Sequence, residues 1–106
     1  MGIAGIGENS SETRRLVEQA RGGDAAALNG LFVRHRDRLR RMIDLRLDRR
    51  VRGRVDPSDV LRDGFADAVG KFPSYLADRN LPAFLWLRLV VGERLAKVHR
   101  DHLGAP

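Results

Sequence analysis

The side chains able to do chemistry in this chain are arginines, aspartates and three histidines, and their spacing decides between catalysis, metal binding and recognition. His99 and His102 stand three residues apart with Asp101 between them, which places both rings on one face of a helix. No third ligand shares that spacing, and a structural zinc site wants four. His35 falls in an apolar row and reads as a hydrogen-bonded core residue. Asp56, Asp59, Asp63 and Asp67 recur every three or four residues, a solvated acidic edge when considered alone. There is no glycine-rich phosphate loop, nucleophile motif or spaced carboxylate pair, so neither catalysis nor a metal or other cofactor is expected. Cysteine is absent, which excludes disulfide frameworks and thiolate metal sites.

Recognition is better supported. Between Arg34 and Arg54 the chain carries ten arginines against Asp37, Asp44 and Asp48, while its whole 106 residues carry a net charge of +6. The positive balance is therefore concentrated in one segment, the usual electrostatic footprint of binding to nucleic acid or another polyanion. The plainer reading is a solvated helix laced by pairs such as Asp37–Arg41, Arg40–Asp44 and Asp48–Arg52.

Helices must position these groups, because no stretch alternates with period two. Ser10 or Ser11 can cap a short helix that runs to Ala20 and is ended by Gly22-Gly23. Asp24 caps the next, in which Leu28, Leu31, Phe32, His35, Leu39, Met42, Ile43 and Leu47 form one stripe. That helix is expected to continue to Val51, roughly 40 Å, with Gly53 as its stop. A third starts sharply: Asp56 as cap, Pro57 at the first position, Ser58 and Asp59 adding acceptors and negative charge at the positive end of the dipole. Its stripe is Leu61, Phe65, Ala68, Val69 and Phe72, and Pro73–Asn80 reads as a loop. The fourth begins near Leu81-Pro82 with Asn80 as cap and buries Phe84, Leu87, Val91, Leu95 and Val98, widened by Leu85 and Leu89. The fold class is all-α: a compact three-helix bundle over residues 10–104 with a short additional N-terminal helix, after a disordered tail at 1–9.

In order along the chain come the arm Arg38-Leu39-Arg40-Arg41, the run Val55-Asp56-Pro57-Ser58-Asp59-Val60-Leu61-Arg62-Asp63, and Phe84-Leu85-Trp86-Leu87-Arg88. The final helix then ends His99-Arg100-Asp101-His102-Leu103-Gly104. Together with Gly23–Phe32, this pattern resembles the second conserved region of bacterial sigma factors of the extracytoplasmic-function type, over about residues 22–104. The resemblance implies a sigma region 2-like bundle acting in transcription initiation. It implies docking on the clamp helices of the largest subunit of core RNA polymerase through Asp56, Asp59, Val60, Arg62 and Asp63. It also implies capture of the unstacked non-template strand of the promoter minus-ten element. The residues that carry over for DNA are Lys71, Ser74, Tyr75, Arg79 and Asn80 in the loop, and Trp86, Arg88, Arg94, Lys97 and Arg100 on the last helix. Tyr75 is either a stacking surface for a base or a ring folded onto the bundle, and Trp86 is better suited to packing. Arg62 stands where the family prefers glutamine, Asp63 where it prefers glutamate, Glu93 where asparagine is usual and Lys97 where aspartate is usual.

An anti-sigma factor is a further implied partner. The minus-thirty-five-reading helix-turn-helix domain of the family is not expected within these residues. With no membrane-spanning run and no signal-peptide pattern at Met1–Gly7, the expected compartment is the cytoplasm. Two other readings fit the same residues: a general basic helical module for DNA or RNA, and a domain that binds only protein.

Overall fold

The computed structural model of the chain describes residues 11–78 and 80–104, and among these it contains helices and no strand. The elements are α1 (Ser11–Arg21), α2 (Ala25–Arg46), α3 (Arg49–Arg52), α4 (Pro57–Ala77) and α5 (Ala83–Leu103). The tail expected at 1–9 lies outside the described residues. α4 and α5 form the principal pair, α2 packs across both, and α1 lies mainly along α2. Leu31, Leu39, Ile43, Val51, Val60, Ala68, Leu87 and Val91 meet at the centre with essentially no exposure. Phe32 and Phe65 join α2 to α4 by stacking at 4.5 Å between ring centres.

Local chemistry starts the helices where the sequence indicates. Asp24 accepts the N–H groups of Ala26 and Ala27, and Asp56 accepts that of Ser58 at 2.8 Å. Gly23, with φ +99°, supplies the left-handed turn between α1 and α2.

Three boundaries differ from expectation. α2 does not run to Val51: Leu47 and Asp48 are extended, and Asp48 caps the separate turn α3 by accepting the N–H of Arg50. The break is fixed from outside, because His99 Nε2 on α5 accepts the Asp48 backbone N–H at 3.1 Å. It lets Leu47 and Val51 both reach the core. The ion pairs shift with it: Arg40–Asp44 forms at 3.4 Å, but Asp48 pairs with Arg50 and not with Arg52.

The second difference is the Pro73–Asn80 loop, most of which is helix. α4 passes through Pro73 to Ala77. Pro73 cannot donate to the carbonyl one turn back, at Val69, but both residues are solvent-exposed, so water can take that place. Tyr75 gives the extension its reason. It is buried, stacks on Trp86 at 4.4 Å, and its hydroxyl donates to the Leu81 carbonyl at 2.8 Å. The third difference is the start of α5, where Pro82, not Asn80, holds the cap position, without a side-chain cap.

The α4–α5 contact is unusually close at Gly64. A methyl group there would lie 3.0 Å from Val91 Cγ2 and 3.4 Å from its Cα. Val69, expected in the apolar stripe, is instead exposed, and Leu89 likewise.

Candidate functional site

The acidic edge of α4 is built by the helix start itself. Asp56 caps, Pro57 takes the first position, and Asp59 lies in the first turn with its carboxylate bonded by Arg62. Asp56, Asp59, Arg62 and Asp63 are all solvent-exposed. Val60 is not: it is 1 % exposed and belongs to the core. Its place among surface residues is corrected by the helical period, which turns position 60 inward between Asp59 and Arg62. Arg40 reaches across from α2 and donates to Ser58 Oγ at 2.8 Å, tying the start of α4 to the arginine-rich helix.

The residues expected to face DNA separate into two groups. Lys71 bonds Glu93 at 3.1 Å and Lys97 bonds Asp101 at 2.9 Å. Arg94 grips Asp67 with two hydrogen bonds of 2.8 and 2.7 Å, linking α5 to α4. That grip holds the Asp67 carboxyl below its ordinary pKa and raises Arg94. Three of the five cations described are thus neutralised by carboxylates one or two turns away or on the facing helix. Arg88 and Arg100 are exposed and have no salt bridge among the described residues. Arg79 lies outside the described residues.

Of the two readings of Tyr75 the ring folded onto the bundle is the one found, and Trp86 packs as expected: the two form a buried pair, 6 % and 7 % exposed, with Phe72 packed on both, so neither lies open to a base. Ser74 and Asn80 are exposed beside them, on the rim of a cavity of about 420 Å³ that Lys71 and Glu93 also line.

Sequence spacing does not reveal that α2 and α5 bring four arginines together. Arg38, Arg41, Arg46 and Arg88 surround a cleft of about 300 Å³ whose apolar lining is Leu39, Met42, Leu45 and Phe84. Arg38 lies over the Phe84 ring, 4.1 Å from its centre, in a cation–π contact. Among the described residues no carboxylate lines this cleft. The clustering of arginines in Arg34–Arg54 is its only signal in the sequence, and the partner helix is not part of that signal.

Beneath it sits His35, fully buried, with Nε2 3.2 Å from Thr13 Oγ1 on α1 and its ring tilted against Phe84. Burial, helped by the positive charges of Arg34 and Arg38, lowers its pKa to about 4. The imidazole is therefore neutral at pH 7, as the reading of a core histidine requires. His99 serves as the acceptor at the α2–α3 break described above. Among the described residues no group of three His, Cys, Asp or Glu side chains could hold a metal ion. None of the helices there is long and apolar enough to cross a membrane.

Compared with known proteins, the chain matches no family model, no curated protein and no solved structure.

Proposed function

We propose that this chain is a promoter-recognition domain of the sigma region 2 type, working by binding and not by catalysis. In this reading the exposed acidic edge Asp56, Asp59 and Asp63, with Arg62, docks on the clamp helices of core RNA polymerase. Arg88 and Arg100, with Ser74 and Asn80, face the non-template strand of the minus-ten element. Binding to the unstacked strand offsets a melting cost of a few kcal/mol per base, so no hydrolysis by the domain is required.

The observation that carries the reading is the sorting of charge by face. The start of α4 exposes Asp56, Asp59 and Asp63 with Arg62 already bonded to Asp59, whereas the cleft between α2 and α5 is lined by Arg41, Arg46 and Arg88 with no carboxylate among the described residues. One molecule with an acidic docking edge and a separate basic face suits a factor that bridges a protein and a nucleic acid.

Co-purification with core RNA polymerase tests this directly. The intact chain should be retained, and Asp59→Arg with Asp63→Arg should abolish retention while leaving the helical circular-dichroism spectrum unchanged. A folded chain with no affinity for polymerase overturns the reading.

A second reading, a general basic module for DNA or RNA, is favoured by one observation: Tyr75 and Trp86 stack on each other and present no ring to a base. It requires equal or better binding to duplex, steeply dependent on salt. The sigma-type reading requires preference for a single-stranded minus-ten oligonucleotide in the same gel-shift comparison.

A further inference from the structure

α5 is apolar on two sides. Its inner stripe is spent on the core, but a second row, Leu85, Leu89, Gly92 and Ala96, recurs at spacings of four, three and four. That is the seam spacing by which one helix packs along another. Leu89 is 51 % exposed, and Leu45, on the neighbouring α2, is 80 % exposed. A cavity of about 520 Å³ follows this row from Leu81 to Ala96. It shares Arg46 and Arg88 with the arginine cleft, so the two hollows adjoin along those side chains and together form a trough.

We propose that this trough is the docking site for an acidic amphipathic helix of a partner protein, with leucine-like side chains on one face and glutamates or aspartates flanking them. From Leu85 to Ala96 the row runs about 16 Å along α5, some three helical turns. Gly92 has open space where a side chain would begin, so a partner backbone can approach closely there. The rim supplies the charge. Arg46 and Arg88 have no salt-bridge partner among the described residues, and Glu93, the carboxylate at the edge, is already bonded by Lys71 at 3.1 Å. Burying Leu45 and Leu89 removes apolar surface from water, and the arginines select an acidic partner over a neutral one.

Two other occupants fit less well. A second copy would bring Arg46 and Arg88 of both copies together on chains already at +6. A single nucleic-acid strand would use the arginines but leave both leucines in water. It would also find no exposed aromatic ring among the described residues on which to stack. The inference stands independently of the polymerase reading, although a helix seated here would cover Arg88 and compete with DNA.

The test is a fluorescence-anisotropy titration of the full chain with a labelled peptide of about 18 residues, built as a helix with a leucine stripe flanked by glutamates. Binding should weaken about tenfold in Leu89→Asp, and by a similar factor in Arg46→Glu; both positions are exposed, so circular dichroism should be unchanged. The peptide with glutamine for glutamate, and a scrambled peptide of equal charge, should each bind several-fold more weakly. No binding, binding indifferent to Leu89→Asp, or equal binding of the scrambled peptide overturns the proposal. So does self-association by sedimentation that Leu89→Asp abolishes, which makes the occupant a second copy. Single-stranded oligonucleotide binding lost in Leu89→Asp, with no peptide binding, makes it a nucleic acid. Polymerase retention is measured separately with Asp59→Arg and Asp63→Arg, so the two ideas fail apart.

Discussion

The seams that α5 makes with α4 and with α2 hold cations in similar number, yet they differ in how many carboxylates meet them. Facing α4, Lys71, Arg94 and Lys97 meet Glu93, Asp67 and Asp101. At the seam with α2, Arg41, Arg46 and Arg88 line a cleft with no carboxylate among the described residues. Arginine count is therefore a poor guide to a binding face. What decides availability is whether the helix packed alongside brings an acid or another arginine to the same place, and that is a property of packing.

Both faces rest on the α4–α5 contact, so the largest effect should come from forcing it apart. Gly64→Leu would drive a branched side chain into Val91, where even a methyl group is at 3.0 Å. Overpacking of this kind costs about 3 kcal/mol. Thermal unfolding should move down by roughly 10–20 °C, and both faces should lose their ligands together. A Gly64→Leu chain as stable as the parent would mean the two helices are not locked as described.

The next effect separates the faces by pH. His35, under the arginine cleft, is neutral in the fold with a pKa lowered to about 4. An unfolded chain would protonate it near its ordinary value, so below about pH 6.5 the unfolded state binds the extra proton and stability falls. The loss should grow until the pH reaches about 4, and it totals on the order of 3 kcal/mol. In His35→Gln the neutral stability is lower, but this acid limb of the profile disappears. Denaturant titrations at several pH values check it, and an acid limb that survives in His35→Gln assigns it to other groups.

Nucleic-acid binding should respond differently at the two seams. Reversing Arg88 and Arg100 together should weaken binding to a single-stranded oligonucleotide by about tenfold or more and flatten its salt dependence by about 0.7 per lost phosphate contact. Replacing Lys71 and Lys97 by glutamine should change it by less than about twofold, because both are already paired. The reverse order would place the ligand on the α4-facing side.

Much of the frame was legible before the structure, and the exceptions are instructive. Asp24 and Asp56 announce their helices because capping is local chemistry between residues two or three apart. Pro73 misleads because its local preference is overridden by Tyr75, whose ring and hydroxyl find partners on Trp86 and Leu81. The break after Arg46 is invisible for a similar reason: the acceptor that fixes it is His99, fifty-one positions from Asp48. The site follows the same rule. The acidic edge of α4 could be read from one helix, save for Val60, but the arginine cleft needs two, and the pairing of Arg94 with Asp67 needs two as well.

That last pair offers the smallest and most pointed test. Arg94 and Asp67 are each about a quarter exposed on their side chains and joined by two hydrogen bonds. Asp67→Asn should destabilise the fold by about 1 kcal/mol at neutral pH. Because the carboxyl pKa is lowered in the fold, its contribution is present above the ordinary aspartate range and is lost as the pH falls through the lowered value. The difference between Asp67→Asn and the parent should therefore narrow below about pH 4. The same substitution frees the Arg94 guanidinium. If neutralisation alone keeps the α4-facing side from binding, affinity for a single-stranded oligonucleotide should rise about twofold in Asp67→Asn despite the lower stability. An affinity that stays level would show that shape, and not only pairing, closes that side of α5 to nucleic acid.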